Sequence, residues 1–321
     1  PAEAGAVVID VATGRVKVWA NHVERGPKRD ICAEANAPAA SIFKIVTASA
    51  LVETAGLTPD ETQCYSGGES RITAADLVDN PRRDRLCATL GEALGKSINT
   101  IFARLTLKHL KPTELVDMAS SMGIGKPVPF DVTVADSTLN IPDSELGYAR
   151  TSAGFWNSTL SPFEAAVIAS TIAKHGQIVR PVLVESMTDA SGSTLYRAPQ
   201  HLDVRRPMKV ATADAVATMM ETTVTHGTCS RAFHDGQGRP FLPNIGVGGK
   251  TGTLSSPDGS LLYTWFVGFA PSSTPEVAIA VLVVNGANFR AKANVVARDV
   301  LRAYFAGKGA PGVNRPILGR P

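Results

Sequence analysis

The 321-residue chain is 44% hydrophobic and 19% charged, which supplies a full-sized core and excludes a disordered or collagen-like chain. Its 32 Lys and Arg against 29 Asp and Glu leave a net charge of +3, too small for a nucleic-acid footprint or a polybasic membrane anchor. The longest apolar run, Val277 to Val284, is far short of the roughly 20 residues that a membrane-crossing helix needs, and the opening at Pro1 rather than methionine leaves room for a signal, anchor or further domain ahead of it.

In chain order, Ala6 to Ala20 places a Val-Val-Ile run, a turn at Ala12-Thr13-Gly14 and the alternating Val16, Val18 and Ala20, which predicts a hairpin. Ser41 to Ala55 is apolar almost all the way round, so it reads as a buried central helix stopped by Gly56. Helices are predicted at Leu90 to Lys96, Thr100 to His109 and Thr113 to Ser121. Ser161-Pro-Phe-Glu164 reads as a capping box opening a helix that runs to Gly176, and Thr212 to Thr225 gives another. Three strand-like runs follow, Ile245 to Leu254, Leu261 to Ala270 and Glu276 to Asn285, joined by short turns that favour an antiparallel meander. An amphipathic helix at Ala291 to Phe305 closes the pattern.

Strands at both ends and helices between them predict an α+β fold, with a five-stranded antiparallel sheet built from both termini, flanked by helices, and a large helical insertion. The expected boundaries are an α/β part at 1–40 and 236–307, a mainly helical part at 41–235, and a loosely ordered Gly/Pro-rich tail at 308–321. The run Arg82-Arg-Asp-Arg85 is expected to be a solvated loop.

Four cysteines, Cys32, Cys64, Cys87 and Cys229, form no C-x-x-C pair. Cys64 and Cys87 lie in polar, turn-rich sequence, and two readings stand open: separate thiols, or a bridge worth about 3 kcal/mol in an oxidising compartment. His226, Cys229 and His234 lack a fourth ligand and are read as loop residues, so no metal is implied.

Three short motifs carry chemistry: Ser41-Ile-Phe-Lys44, Ser97-Ile-Asn99 and Lys250-Thr-Gly-Thr253. Ser41 and Lys44 are three apart and share a helix face, on a helix too apolar to solvate a lysine. A buried lysine near a second lysine has a depressed pKa and suits the role of base towards a serine. Ser41 at a helix N-terminus also offers its own amide to developing negative charge, which suits acyl transfer. Ser97 and Asn99 admit two readings: an ordinary helix cap ahead of Ile101-Phe102, or an extended segment whose side chains point to one side, where the serine relays a proton and the asparagine holds a substrate amide or orients Lys44. Lys250-Thr-Gly-Thr253 follows Gly246-Val-Gly-Gly249 in a predicted strand, along which an acyl-peptide adds as a further strand, Lys250 and Thr251 facing the serine and the Thr253 amide serving as second oxyanion donor. Gly249-Lys250-Thr251 is not a phosphate-binding loop, because the required upstream glycine is Asn244 and no helix follows.

The ordered set S-x-x-K, S-x-N, K-T-G resembles the signature of penicillin-binding proteins and serine β-lactamases. The resemblance runs from the Ala6 hairpin to the Ala291 helix and extends to Met122-Gly-Ile-Gly125, Leu160-Ser-Pro162, His226-Gly-Thr228 and Trp265-Phe-Val-Gly268, which look like transpeptidase landmarks. It implies a penicillin-binding transpeptidase domain with Ser41 as nucleophile, Lys44 as base, Ser97 and Lys250 as proton relay, and Asn99, Thr251, Gly252 and Thr253 holding the peptide, with the Ser41 and Thr253 N–H groups as oxyanion hole. It implies peptidoglycan stem peptides as substrate, β-lactams as inhibitors and no metal or organic cofactor. It also implies a periplasmic or other extracytoplasmic site, anchored only through a segment outside this chain, within a cell-wall synthesis complex. The long interval from Ser97 to Lys250 favours a transpeptidase over a compact β-lactamase, and Glu145, in a turn-like Pro142-Asp-Ser-Glu-Leu-Gly147 context, is no convincing activator of water. A D,D-carboxypeptidase, a β-lactamase and a non-catalytic β-lactam sensor stand as alternatives.

Overall fold

A computed structural model describes residues 1–68, 71–286, 289 and 291–306. The elements that frame the molecule are, in chain order, β1 (Glu3–Asp10), β2 (Val16–Val23), α1 (Phe43–Glu53), β3 (Thr62–Tyr65), β4 (Leu86–Thr89), α2 (Leu90–Lys96), α3 (Asn99–His109), α4 (Pro112–Ser121), α5 (Glu145–Ser152), α6 (Pro162–Ala173), α7 (Val210–Thr225), β5 (Gly248–Ser255), β6 (Leu262–Ala270), β7 (Val277–Asn285) and α8 (Ala293–Ala306).

The central sheet has the order β5-β6-β7-β1-β2, with every pairing antiparallel. The two termini therefore do build one five-stranded sheet. β7 lies at its middle, and all nine of its residues are buried, because an interior strand with both faces covered tolerates no polar side. Alternation sorts the side chains between two cores. Val7, Ile9, Trp265, Val267, Ala280 and Leu282 face α1 and α6, while Ala6, Val8, Phe266, Ile279 and Val281 face α8 on the other side. β5 is an edge strand.

Several sequence expectations shift in detail. The helix expected from Ser41 begins as a 3₁₀ turn at Ala40–Ile42, and α1 starts at Phe43. Gly56 does stop it, at φ +70°. Ser161 caps α6 by accepting from the Glu164 N–H at 3.0 Å, but the Glu164 carboxyl does not complete the expected box. That carboxyl is instead buried, with its Oε1 lacking a hydrogen-bond partner. The Glu145 region, expected as a turn, opens α5, capped by the Ser144 hydroxyl at 3.1 Å from the Gly147 N–H. Arg82, Arg83 and Arg85 are exposed as expected, whereas Asp84 turns inward and pairs with the buried Arg104 guanidinium at 2.7 Å. Cys64 and Cys87 face each other across β3 and β4 and form a disulfide. The tail expected at 308–321 lies outside the described residues.

Candidate active site

Ser41 sits on the 3₁₀ turn that feeds α1, in a backbone held from several sides. Ala40 before it adopts φ +49°, an uncommon conformation for a residue with a side chain. Trp265, almost fully buried on β6, donates its indole N–H to the Pro38 carbonyl at 2.9 Å. Gly154, at φ +83°, packs so tightly that a Cβ there would lie 2.2 Å from the Ala40 carbonyl oxygen. Gly252 on β5 serves the same end, since a Cβ there would meet Ile42 and Ala40 at 3.2 and 3.3 Å. Two glycines thus let two separate elements close on the serine turn.

Lys44, one helical turn on, is fully buried. Its Nζ lies 3.0 Å from Ser41 Oγ, 2.7 Å from Asn99 Oδ1 and 2.5 Å from the Ala153 carbonyl oxygen. Burial, and then the neighbouring positive charge of Lys250, hold its pKa well below the ordinary lysine value. A neutral amine has two N–H groups and one lone pair. The Asn99 and Ala153 oxygens only accept, so they take both N–H groups, and the lone pair is left facing the Ser41 hydroxyl.

Ser97 and Asn99 reach the same cleft, but not from an extended segment. Ser97 closes α2 in the left-handed conformation, φ 59° and ψ 42°, and Asn99 is the first residue of α3. The break between the helices aims both side chains inward. Asn99 Nδ2 donates to the Gly68 carbonyl at 3.2 Å, which leaves its oxygen turned to Lys44.

Lys250 is fully buried on β5, where burial pushes its pKa down to about 7. Its Nζ donates to the Thr251 carbonyl at 2.9 Å. Close packing of Gly95 on α2 against Gly227 after α7, where a Cβ on Gly227 would lie 2.2 Å from the Gly95 oxygen, brings Thr228 alongside. The Thr228 and Thr251 hydroxyls are 2.5 Å apart.

These side chains line one cleft of about 350 Å³, shared by Ser41, Ser97, Asn99, Thr228, Thr251 and Thr253. Every residue expected at the site is therefore at the cleft or, for Lys44 and Lys250, buried beneath it. Sequence reasoning missed the Ala153 carbonyl, which carries no side-chain signature, and gave the Thr228 hydroxyl no role at the site, although His226-Gly-Thr228 stood out as a transpeptidase landmark. Lys292 and Asn294, at the start of α8, also reach the cleft unforeseen.

A family profile for the penicillin binding protein transpeptidase domain matches residues 4–304. Peptidoglycan D,D-transpeptidase PbpA of Mycobacterium tuberculosis is 30% identical over 286 residues, covering 84% of this chain and 55% of that protein. Stage V sporulation protein D of Bacillus subtilis is 24% identical over 252 residues, covering 76% of this chain and 38% of that protein. The chain thus spans about half or less of the length of these curated relatives. Among solved structures, the D,D-transpeptidase domain of a peptidoglycan glycosyltransferase from Eggerthella lenta superposes with a TM-score of 0.79 at 24% identity, over 96% of this chain and 78% of that one. An imipenem acyl-enzyme complex of penicillin-binding protein A from M. tuberculosis gives 0.75 at 25% identity, over 95% and 74%. With its three motifs gathered on one cleft and the profile spanning nearly every described residue, this chain belongs to the penicillin-binding protein transpeptidase domain family.

Proposed function

We propose that the chain is the transpeptidase domain of a peptidoglycan D,D-transpeptidase working through a Ser41 acyl-enzyme. The observation that carries the reading is the buried Lys44 amine, 3.0 Å from Ser41 Oγ, with its other two neighbours able only to accept. Ser41 attacks the penultimate D-Ala carbonyl of a stem peptide while Lys44 takes its proton. Ser97 and Lys250 hand a proton to the departing D-Ala amine, and Asn99 orients Lys44 and meets the peptide amide. The peptide lies along the open edge of β5, held by Thr251, Gly252 and Thr253, with the Ser41 and Thr253 N–H groups facing the developing oxyanion. An amino group of a neighbouring stem peptide then resolves the ester into a cross-link, and a β-lactam traps the serine. Such substrates place the domain outside the cytoplasm, in the periplasm or an equivalent compartment, in reach of other cell-wall synthesis proteins, and a disulfide suits that setting.

The test is an intact-mass time course with benzylpenicillin followed by peptide mapping, then D-Ala release from a stem pentapeptide with and without an amine acceptor. A stable adduct on Ser41 and acceptor-dependent cross-linking are expected. Rapid loss of the adduct with hydrolysed drug would move the reading to a β-lactamase, and D-Ala release indifferent to the acceptor would move it to a carboxypeptidase.

A further inference from the structure

We propose that the loop closed by the Cys64–Cys87 disulfide positions Asn99, so that its covalent closure governs the rate at which Ser41 is acylated. The proposal rests on the acyl-enzyme reading above. β3 and β4 are four residues each, and a two-stranded ribbon of that size does not hold its own geometry in water. Two devices stand out among the described residues, beside the Lys108 contacts to Gln63 and Asp79. One is the disulfide that ties the strands together. The other is Arg104 on α3, buried beneath the loop, whose guanidinium donates to the carbonyls of Cys64, Asp76 and Val78 at 2.7–3.0 Å and to Asp84.

The loop so held reaches the site through two consecutive carbonyls. Gly67 accepts from the Thr100 hydroxyl at 2.9 Å, and Gly68 accepts from Asn99 Nδ2 at 3.2 Å. Gly68 has φ +78°, and a Cβ there would lie 1.8 Å from Thr100 Oγ1, so only glycine allows the approach. The Gly68 carbonyl demands an N–H from the Asn99 amide, which fixes the oxygen on the opposite side, 2.7 Å from Lys44 Nζ. A reversed amide would set N–H against N–H and turn the amine away from Ser41. The path from disulfide to nucleophile is therefore short and made of named contacts. Asn99 is the group at the reacting centre, and the loop acts through it.

Cys87 is exposed. A dithiol reductant can attack its sulfur, break the S–S bond and close to its own disulfide, leaving two cysteine thiols on the protein.

Four forms are compared with benzylpenicillin: the oxidised protein, the C64S/C87S variant, Gly68→Ala, and the triple variant. The non-covalent dissociation constant and the acylation rate constant are separated by varying drug concentration, and thermal melting checks that each form is folded at the assay temperature. Loss of orientation is expected to lower the acylation rate constant by roughly 10- to 100-fold while the dissociation constant stays within about twofold. The triple variant should be no slower than Gly68→Ala, since both changes remove one contact. Dithiol treatment of the wild-type protein should reproduce the C64S/C87S result, which keeps the test decisive if the variant does not fold. Rapid acylation of folded, disulfide-free protein would overturn the proposal, as would multiplicative losses in the triple variant or an effect confined to the dissociation constant. Should the oxidised protein form no Ser41 adduct at all, the acyl-enzyme reading itself fails; a Ser41 adduct indifferent to the disulfide removes this inference alone.

Discussion

In the proposed mechanism Lys44 acts as a base only while it is neutral, and the residues around it favour that form. Burial and the Lys250 charge both disfavour its protonated form. A base needs its proton removed, so the acylation rate should rise with pH and level off well below 10.5, the ordinary lysine value. A rate of penicillin acylation that climbs all the way to that pH would refute the assignment. Lys44→Arg replaces the amine with a guanidinium that cannot lose its proton, and it should slow acylation by roughly 10²–10⁴-fold while non-covalent binding persists, as read by an adduct-mass time course. The closeness of Ser41 and Lys44 was legible in the sequence because residues three apart share a helix face and the apolar surroundings leave the lysine no route to solvent. The Ala153 oxygen that completes the amine's surroundings was not, because any residue supplies a carbonyl and only the fold says which one arrives.

Elements deliver these residues through close backbone contacts, and there the sequence was less readable. The convergence of Ser97 and Asn99 was expected from an extended segment, but a left-handed residue between two helices achieves it. Alternation along a strand and a break between helices look alike over three residues. α5 was hidden for a related reason: Pro142 and Gly147 resemble turn residues, yet the proline precedes the Ser144 cap and the glycine lies within the first turn. Gly154 gives no sign of its role until its neighbour across the cleft is known. Gly154→Ala forces a Cβ against the Ala40 carbonyl at a positive φ, so it should displace the serine turn. The expected cost is about 2 kcal/mol of stability and roughly a 100-fold loss of acylation rate, measured by melting and adduct formation; an unaffected rate would show that the turn does not depend on this contact. Beneath the β3–β4 loop, Asp84→Asn leaves the buried Arg104 charge without its closest carboxylate. Breaking such a pair should lower stability by about 3 kcal/mol, as denaturant unfolding would register.

At the scale of the whole molecule, stability should depend on pH through Glu164. Its buried carboxyl has its pKa pushed up to about 8 by burial, with Arg205 opposing and Asp136 adding to the rise. Unfolded, it titrates near 4.5, the ordinary glutamate value. Between those two values the folded state holds more protons, so its stability falls as pH rises through that window. Glu164→Gln removes this dependence. The stability lost between pH 5 and pH 8 should therefore be larger in the wild-type protein than in the variant by on the order of 3 kcal/mol, and equal losses would show that Glu164 does not titrate there. The broad architecture, by contrast, was open to the sequence: apolar alternation at both ends and helical periodicity between them leave few other ways to build one sheet.

The joining of β1 to β7 has a consequence for how the molecule forms. Residues 3–10 find their partners at 277–284, and the serine turn leans on Trp265 and Gly252, so the contacts that matter most span nearly the whole chain. Such high contact order makes folding slow. The first strand leaves the ribosome long before β7 exists, and every length from Ser41 up to β7 carries that serine without the scaffold that aims it. The serine turn is thus left unsupported until synthesis has passed Asn285, because only then can the last central strand join the first and complete the sheet.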